Sequence, residues 1–241
     1  MNEIAERLAA VQSAIAAAAE RSGRVPAEIE LLAVSKTHPP EAIHAALDAG
    51  QCLFGESRVQ EARVKIPLLP GRARWHFIGH LQKNKIRHAL GLFELFHGVD
   101  SLDLARDFNR IAGEAGAFPH VLLEVNVAGE ATKFGFPPDK LRTQMEDLLA
   151  LDRLAIEGMM CIPPPQPDAE GARRYFVALR EWRDRLQSEF RVPLPRLSMG
   201  MSGDYAVAIE EGATLVRVGT AIFGERSGKT WKPQGDPTFD D

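Results

Sequence analysis

Lys36 is a lysine placed where a predicted β-strand ends in a turn. Two-residue alternation along this segment puts Leu32, Val34 and Lys36 on one face, and the two apolar residues indicate that this face is interior. An ammonium group there is partly desolvated, which lowers its pKa and favours the neutral amine, a nucleophile that forms a Schiff base with an aldehyde. The alternative is a strand-end lysine whose amine extends into solvent.

Arg217 has a similar position near the end of the last predicted strand. Alternation places Leu215 and Arg217 on the same face. If this strand and the strand before Lys36 are neighbours, the permanent charge of the guanidinium further favours a neutral lysine. The alternative is a salt bridge at the rim of the fold.

Two segments rich in small residues could bind an anion. Residues 198–204 read Ser-Met-Gly-Met-Ser-Gly-Asp and residues 219–221 read Gly-Thr-Ala. Small residues let backbone N–H groups approach an anion, and the hydroxyls of Ser202 and Thr220 can donate at helix starts. Glycine-rich turns also occur simply as helix caps, so either segment alone is weak support.

Together these residues suggest a phosphorylated aldehyde as ligand. Pyridoxal 5′-phosphate (PLP) has the required groups, and an arginine facing its ring nitrogen is one known arrangement. A phosphosugar aldolase would use the same lysine and the same anion site, and the residues alone do not choose between them. Alternation along the fifth predicted strand also points Glu124 and Asn126 inward. The Asn126 amide could form a hydrogen bond with a substituent of the ligand ring, or it could be a core amide whose hydrogen bonds are all made within the protein.

The predicted elements that position these residues repeat in one order along the chain. Short β-branched or aromatic runs, typical of strands, alternate with longer segments whose apolar residues have helical spacing. Eight strands are predicted, at residues 30–36, 52–56, 74–79, 92–99, 121–127, 155–162, 196–199 and 214–218. Helices are predicted at residues 41–49, 59–66, 83–90, 102–115, 139–150, 169–190 and 204–211. Eight such units predict an α/β fold, a single (β/α)8 TIM barrel, with active residues at the carboxyl ends of its strands.

The two ends of the chain have different predicted roles. Ile4, Leu8, Val11 and Ile15 fall at helical spacing and predict an extra amphipathic N-terminal helix, while the charges among them argue against a secretory signal. We expect residues 1–225 to form the barrel and residues 226–241 to be a polar, flexible tail that folding does not require. Trp231 is a large apolar residue that argues against this view of the tail. The proline-rich run at 163–167 follows the sixth predicted strand and is expected to be a loop at the functional end of the barrel.

Composition narrows the classes of partner. The chain has 241 residues, 45% hydrophobic and 26% charged, with 29 Lys+Arg against 33 Asp+Glu and a net charge of −4. This charge gives no general attraction for nucleic acid or anionic membranes. Cys52 and Cys161 form no metal-binding motif, the histidines lack metal-ligand spacing, and His76 is interpreted as structural. No apolar run reaches the length of a membrane span, and a cytoplasmic location is predicted.

The sequence closely resembles the PLP homeostasis protein family, also called the proline synthetase co-transcribed family, over roughly residues 5–225. The resemblance lies in five motifs, at residues 33–37, 54–56, 75–85, 197–202 and 217–224. It implies a barrel like the N-terminal domain of alanine racemase, without the racemase's C-terminal domain. It also implies PLP on Lys36, Arg217 at the pyridine nitrogen, and the phosphate on Ser202, Gly219 and Thr220, with Asn126 and Met199 among the cofactor-binding residues. The chain departs from the family at Ser57, where Asn is usual, and serine is shorter and offers one hydroxyl in place of an amide.

Members of this family look like carriers or regulators of intracellular PLP rather than enzymes. The resemblance therefore favours a PLP-binding homeostasis protein with no catalytic residues and with PLP-dependent apo-enzymes as recipients. A PLP-dependent amino-acid racemase and a PLP-independent Schiff-base aldolase remain as alternatives.

Overall fold

The predicted barrel is confirmed. A computed structural model describes residues 3–130, 132–225 and 231, and its eight strands form one closed parallel sheet in sequence order. The ring closes where β1 pairs with β8, with Leu32 opposite Arg217 and Ala33 opposite Val218. Residues separated by most of the chain therefore meet at one seam of the barrel.

The strands are short and close to their predicted positions. Their bounds are β1 Glu30–Val34, β2 Leu53–Glu56, β3 Arg74–Phe77, β4 Leu95–Val99, β5 His120–Glu124, β6 Ala155–Met160, β7 Arg196–Ser198 and β8 Leu215–Val218. Several end earlier than predicted, because the chain leaves the sheet to form the loops at the carboxyl end of the barrel.

Helices follow the strands and surround the sheet. In the described part of the chain they are α1 Glu3–Arg21, α2 Pro40–Asp48, α3 Val59–Lys65, α4 Ile86–Ala89, α5 Leu102–Ala115, α6 Pro138–Thr143, α7 Met145–Leu149, α8 Arg173–Phe190, α9 Tyr205–Glu210 and α10 Thr220–Phe223. The predicted helix at 139–150 is wrong as one element, because it is divided at Gln144, whose φ of −103° and ψ of 3° are not helical. None of the described helices combines the length and apolar character needed to cross a lipid bilayer.

The apolar residues form two cores. A small cluster fills the inside of the barrel, and its members are Leu32, Val34, Leu53, Leu95, Leu122, Met160 and Leu215. A larger cluster lies between the sheet and the helices. Leu32 and Val34 therefore have the inward direction that alternation predicted.

The N-terminal helix is part of this outer layer. Leu8, Val11 and Ile15 of α1 are buried, and the helix packs against α9 and α10. The prediction of an amphipathic N-terminal helix is thus confirmed.

The predicted flexible tail at 226–241 lies outside the described residues, apart from Trp231. The Trp231 N–H donates to the carbonyl of Thr37 at 3.3 Å, and its ring centroid lies 5.6 Å from Lys65 Nζ. This part of the tail therefore contacts the barrel beside Lys36.

Candidate ligand-binding site at the carboxyl end of the barrel

Lys36 lies in the turn that follows β1. The strand ends at Val34, so the alternation that predicted an inward Lys36 stops two residues before it, and the side chain is half-buried. Gly219 lies against the end of the same strand, because a Cβ built on it would be 3.3 Å from both the Cβ and the carbonyl oxygen of Val34. The lysine turn and the loop after β8 are therefore neighbours.

The two predicted anion-binding loops meet at Ser202. Its hydroxyl oxygen accepts hydrogen bonds from the N–H groups of Gly219 at 3.3 Å and Ala221 at 3.4 Å. Thr220 is exposed and begins the short helix α10. Backbone N–H groups and hydroxyls that converge in this way are suited to the oxygen atoms of a phosphate.

Arg217 is buried inside the barrel and bonded to neutral oxygens. Its Nη1 donates to the carbonyl and hydroxyl oxygens of Ser198, at 2.9 and 2.5 Å, and its Nη2 donates to the carbonyl of Cys161 at 2.9 Å. No ion pair within the described residues includes this guanidinium, and burial lowers its pKa from the usual value. The site thus holds a fixed donor whose charge lacks a direct counter-ion.

A chain of hydrogen bonds extends from Ser198 across the barrel. The Ser198 hydroxyl lies 3.0 Å from Nδ1 of His97, and Nε2 of His97 lies 3.1 Å from Nδ1 of His76. Burial lowers the pKa of His76 to about 3, aided by Arg196 and Arg74, and burial also lowers the pKa of His97. Both imidazoles are therefore neutral at physiological pH. His97 bonds to Ser198 and His76 bonds to His97, which agrees with the structural interpretation of His76.

Asn126 and Met199 are less directly available to a ligand. Asn126 closes its own loop, because its Nδ2 donates to the Glu130 carbonyl at 2.8 Å and its Oδ1 accepts from the Glu130 N–H at 3.2 Å. The Met199 side chain is fully buried in the core between sheet and helices, so only its backbone could contact a ligand.

Acidic and imidazole groups lie at the ends of β3, β4 and β5. Burial raises the pKa of Glu124 to about 7, with a further increase from Asp100 and an opposing effect of Arg217. His80 Nδ1 is 2.9 Å from an Asp100 carboxylate oxygen, and the His80 ring stacks on Phe134. Within the described residues, no cluster of three His, Cys, Asp or Glu side chains could hold a metal ion.

Sequence reasoning missed several polar residues around the site. Ser198 and His97 support Arg217, while Glu56, Glu61 and Lys65 form a buried ion cluster next to the turn of Lys36. The four-residue spacing of Glu61 and Lys65 was a visible signal of pairing on a helix, although it gave no sign of burial.

Comparison with known proteins gives a consistent result. The family model for the N-terminal domain of alanine racemase matches residues 7–227. A pyridoxal phosphate homeostasis protein of Aquifex aeolicus is 46% identical over 222 residues, which cover 92% of this chain and 97% of that protein. The protein of the same name from Escherichia coli K12 is 42% identical over 234 residues, covering 94% of this chain and 98% of its own length.

Solved structures agree with these matches. PipY of Synechococcus elongatus with PLP bound has a TM-score of 0.81 and 41% identity, over 92% of this chain and all of that chain. An alanine racemase of Clostridium difficile has a TM-score of 0.72 at 16% identity, over 96% of this chain and 59% of that chain, and this likeness supports the fold alone.

Proposed function

Because the chain belongs to the pyridoxal phosphate homeostasis protein family, we propose that it binds PLP through a Schiff base at Lys36 and acts in PLP homeostasis. In this proposal it is a carrier or regulator without catalytic turnover. The observation that carries the proposal is the meeting of β1 and β8, which puts the Lys36 turn beside Gly219, two residues after the buried Arg217.

The residues present fit the three polar ends of PLP. Gly219, Thr220 and Ser202 offer donors to a phosphate, and Arg217 offers a donor to the pyridine nitrogen. Lys36 supplies the amine for the aldehyde. The tight approach of Gly219 to Val34 favours glycine there, because a side chain would press on the strand that leads to the lysine.

When bound, PLP supplies an aldehyde carbon that accepts an amine nitrogen and releases its oxygen as water. Lys36 must be neutral to act as that nucleophile. Ser198 holds the guanidinium, so the donor facing the ring nitrogen is fixed in place. The remaining residues bind and orient the cofactor.

Transfer of PLP to PLP-dependent apo-enzymes is the role that we propose for the bound cofactor. A covalent bond that forms with loss of water can also be reversed by water or by another amine, so a carrier can release what it holds. The names and the PLP-bound structure of the relatives support this proposal.

The proposal is tested by trapping the linkage. PLP-loaded protein is treated with borohydride, and the modified lysine is identified by mass spectrometry, alongside the visible absorbance of the untreated protein. We expect the label on Lys36 and its loss in Lys36→Ala, whereas Lys133→Ala, in the loop after β5, should label as the wild type does. A label on another lysine in the wild type would reject Lys36 as the attachment site.

A further inference from the structure

A buried ion cluster, made up of Glu56, Glu61 and Lys65, lies next to the turn that carries Lys36. Lys65 Nζ donates to Oε1 of Glu56 at 2.9 Å and to Oε1 of Glu61 at 2.6 Å. The side chains of all three residues are at most 1% exposed. Three ionisable groups are therefore enclosed together at the end of β2 and on α3.

Fold stability alone is a poor explanation for this cluster. Removing charges from water is unfavourable, and buried ion pairs often contribute no more to stability than apolar side chains of similar size. The second carboxylate oxygens of Glu56 and Glu61 are buried without a hydrogen-bond partner in the described part of the chain. The arrangement is therefore more costly than an apolar core, which points to a positional role.

The cluster holds both residues that flank Lys36. On one side, Lys65 Nζ donates to the Ser35 carbonyl at 3.2 Å, and the Ser35 hydroxyl donates to Glu56 at 2.7 Å. On the other side, the Thr37 N–H donates to Oε1 of Glu61 at 2.7 Å. The backbone on each side of the lysine is thus fixed by a buried charged group.

Thr37 requires such support because its backbone is left-handed. Its φ is +70°, a conformation that is unfavourable for a β-branched residue. The bond from its N–H to Glu61 holds this conformation, and its carbonyl accepts from the Trp231 N–H. The direction in which the chain leaves Lys36 depends on this strained residue.

We propose that Glu56, Glu61 and Lys65 are positioning residues that hold Lys36 in the orientation needed to form its covalent bond with PLP. This inference rests on the proposed function and deepens it. The cluster acts through the backbone of Ser35 and Thr37, while Ser202, Gly219 and Arg217 bind the rest of the cofactor independently.

The test separates covalent from non-covalent binding in Lys65→Met, whose side chain has a similar length without the charge. Pyridoxine 5′-phosphate lacks the aldehyde and probes the phosphate and ring contacts alone. We expect the rate of linkage to PLP to fall at least tenfold, while the Kd for pyridoxine 5′-phosphate stays within threefold of the wild-type value. Lys83→Met removes an exposed lysine paired with Asp107 and serves as the matched control, with no change in either measurement.

A second variant, Glu61→Gln, tests the same role in case Lys65→Met does not fold. Glu61→Gln keeps the shape of the side chain and removes its charge, so we expect a smaller loss in the same direction. Thr37→Gly, which accepts a positive φ, should restore part of the linkage rate in the Lys65→Met background.

The outcomes are distinguishable. Unchanged linkage rates in the folded variants, or an equal loss of affinity for both ligands, would overturn the positioning role, and so would the failure of both variants to fold. If the wild-type protein itself forms no linkage to PLP, the proposed function fails instead.

Discussion

At the scale of the residue, Arg217 is a permanently charged group enclosed by neutral acceptors. Burying a guanidinium without a carboxylate partner is unfavourable, and a ligand that accepts a hydrogen bond would offset part of that cost. A guanidinium only donates, so a pyridine nitrogen that faces it must accept and remains unprotonated. In the proposed site this single residue would therefore affect both the affinity for PLP and the protonation of its ring.

Glu124 should make the stability of the apo-protein depend on pH. Its pKa is about 7 in the folded protein, against an ordinary value of 4.5, because burial disfavours the charged carboxylate. Between these values the folded protein keeps a proton that the unfolded chain releases, so this contribution to stability falls as the pH rises. Glu124→Gln should remove the loss and raise the free energy of unfolding at pH 8 by about 3 kcal/mol, with little change near pH 4.5.

Urea unfolding at the two pH values measures this difference. Glu146→Gln changes an exposed glutamate on α7 and is the control, with little expected effect at either pH. An equal change in stability for Glu124→Gln at both pH values would contradict the assignment of the raised pKa.

At the scale of the element, the loops after β7 and β8 act as one unit. Ser202 belongs to the first loop, and its hydroxyl accepts from the N–H groups of Gly219 and Ala221 in the second. Neither loop alone brings the Ser202 hydroxyl together with the N–H groups of Gly219 and Ala221. The closeness of β7 and β8 in the sheet makes this possible.

Replacing Ser202 and Thr220 together with alanine should weaken PLP binding at least roughly tenfold, since a hydrogen bond to a charged group contributes about 1.5–3 kcal/mol. Titration of the apo-protein measures this effect. Affinity for pyridoxal, which has no phosphate, should stay nearly unchanged. Thr143→Ala, at an exposed hydroxyl on α6, is the control, and equal losses for PLP and pyridoxal would contradict a phosphate site at these loops.

Element boundaries were the least predictable part of the fold. The strand predicted at 30–36 ends at Val34, because the Ser35 carbonyl and the Thr37 N–H bond to the buried ion cluster instead of to a neighbouring strand. The helix predicted at 139–150 is divided at Gln144. In both cases the sequence pattern that predicted the element continues past the point where the element ends. Contacts with the buried ion cluster end the strand, and the backbone angles of Gln144 divide the helix.

At the scale of the whole molecule, closure of the barrel creates the site. Lys36 and Arg217 are 181 positions apart in sequence, yet β1 and β8 are hydrogen-bonded neighbours. The helices outside the sheet fix this closure, with α1 packed against α9 and α10 near the same seam. The seam thus joins the lysine turn to the loop with Gly219.

The loaded protein should not exchange the Cα proton of amino acids at an appreciable rate. If Arg217 donates to the ring nitrogen of PLP, as proposed, that nitrogen stays unprotonated and the ring is a poor electron sink. The two tyrosines are also poorly placed as bases, since the Tyr175 hydroxyl accepts from Arg174 and Tyr205 packs against the outer core. Incubation with L-alanine in D2O, followed by proton NMR, should show no loss of the Cα signal beyond that caused by free PLP. Fast exchange that disappears in Lys36→Ala would favour a racemase.

The sequence by itself determined the class of fold and the direction in which several strand residues point. Eight alternating units predicted the barrel, and parity placed Leu32, Val34, Leu215 and Arg217 inside it, because side chains on a strand alternate between two faces. These features depend on local pattern, which can be observed directly in a sequence.

Only the tertiary structure decided how Lys36 is held. The contacts of Ser35 and Thr37 with Glu56, Glu61 and Lys65, and the chain from Arg217 through Ser198 to the two histidines, join residues from different strands and helices. A polar residue looks the same in sequence whether it is solvated or buried. The partners that distinguish these two states are brought together only when the barrel closes.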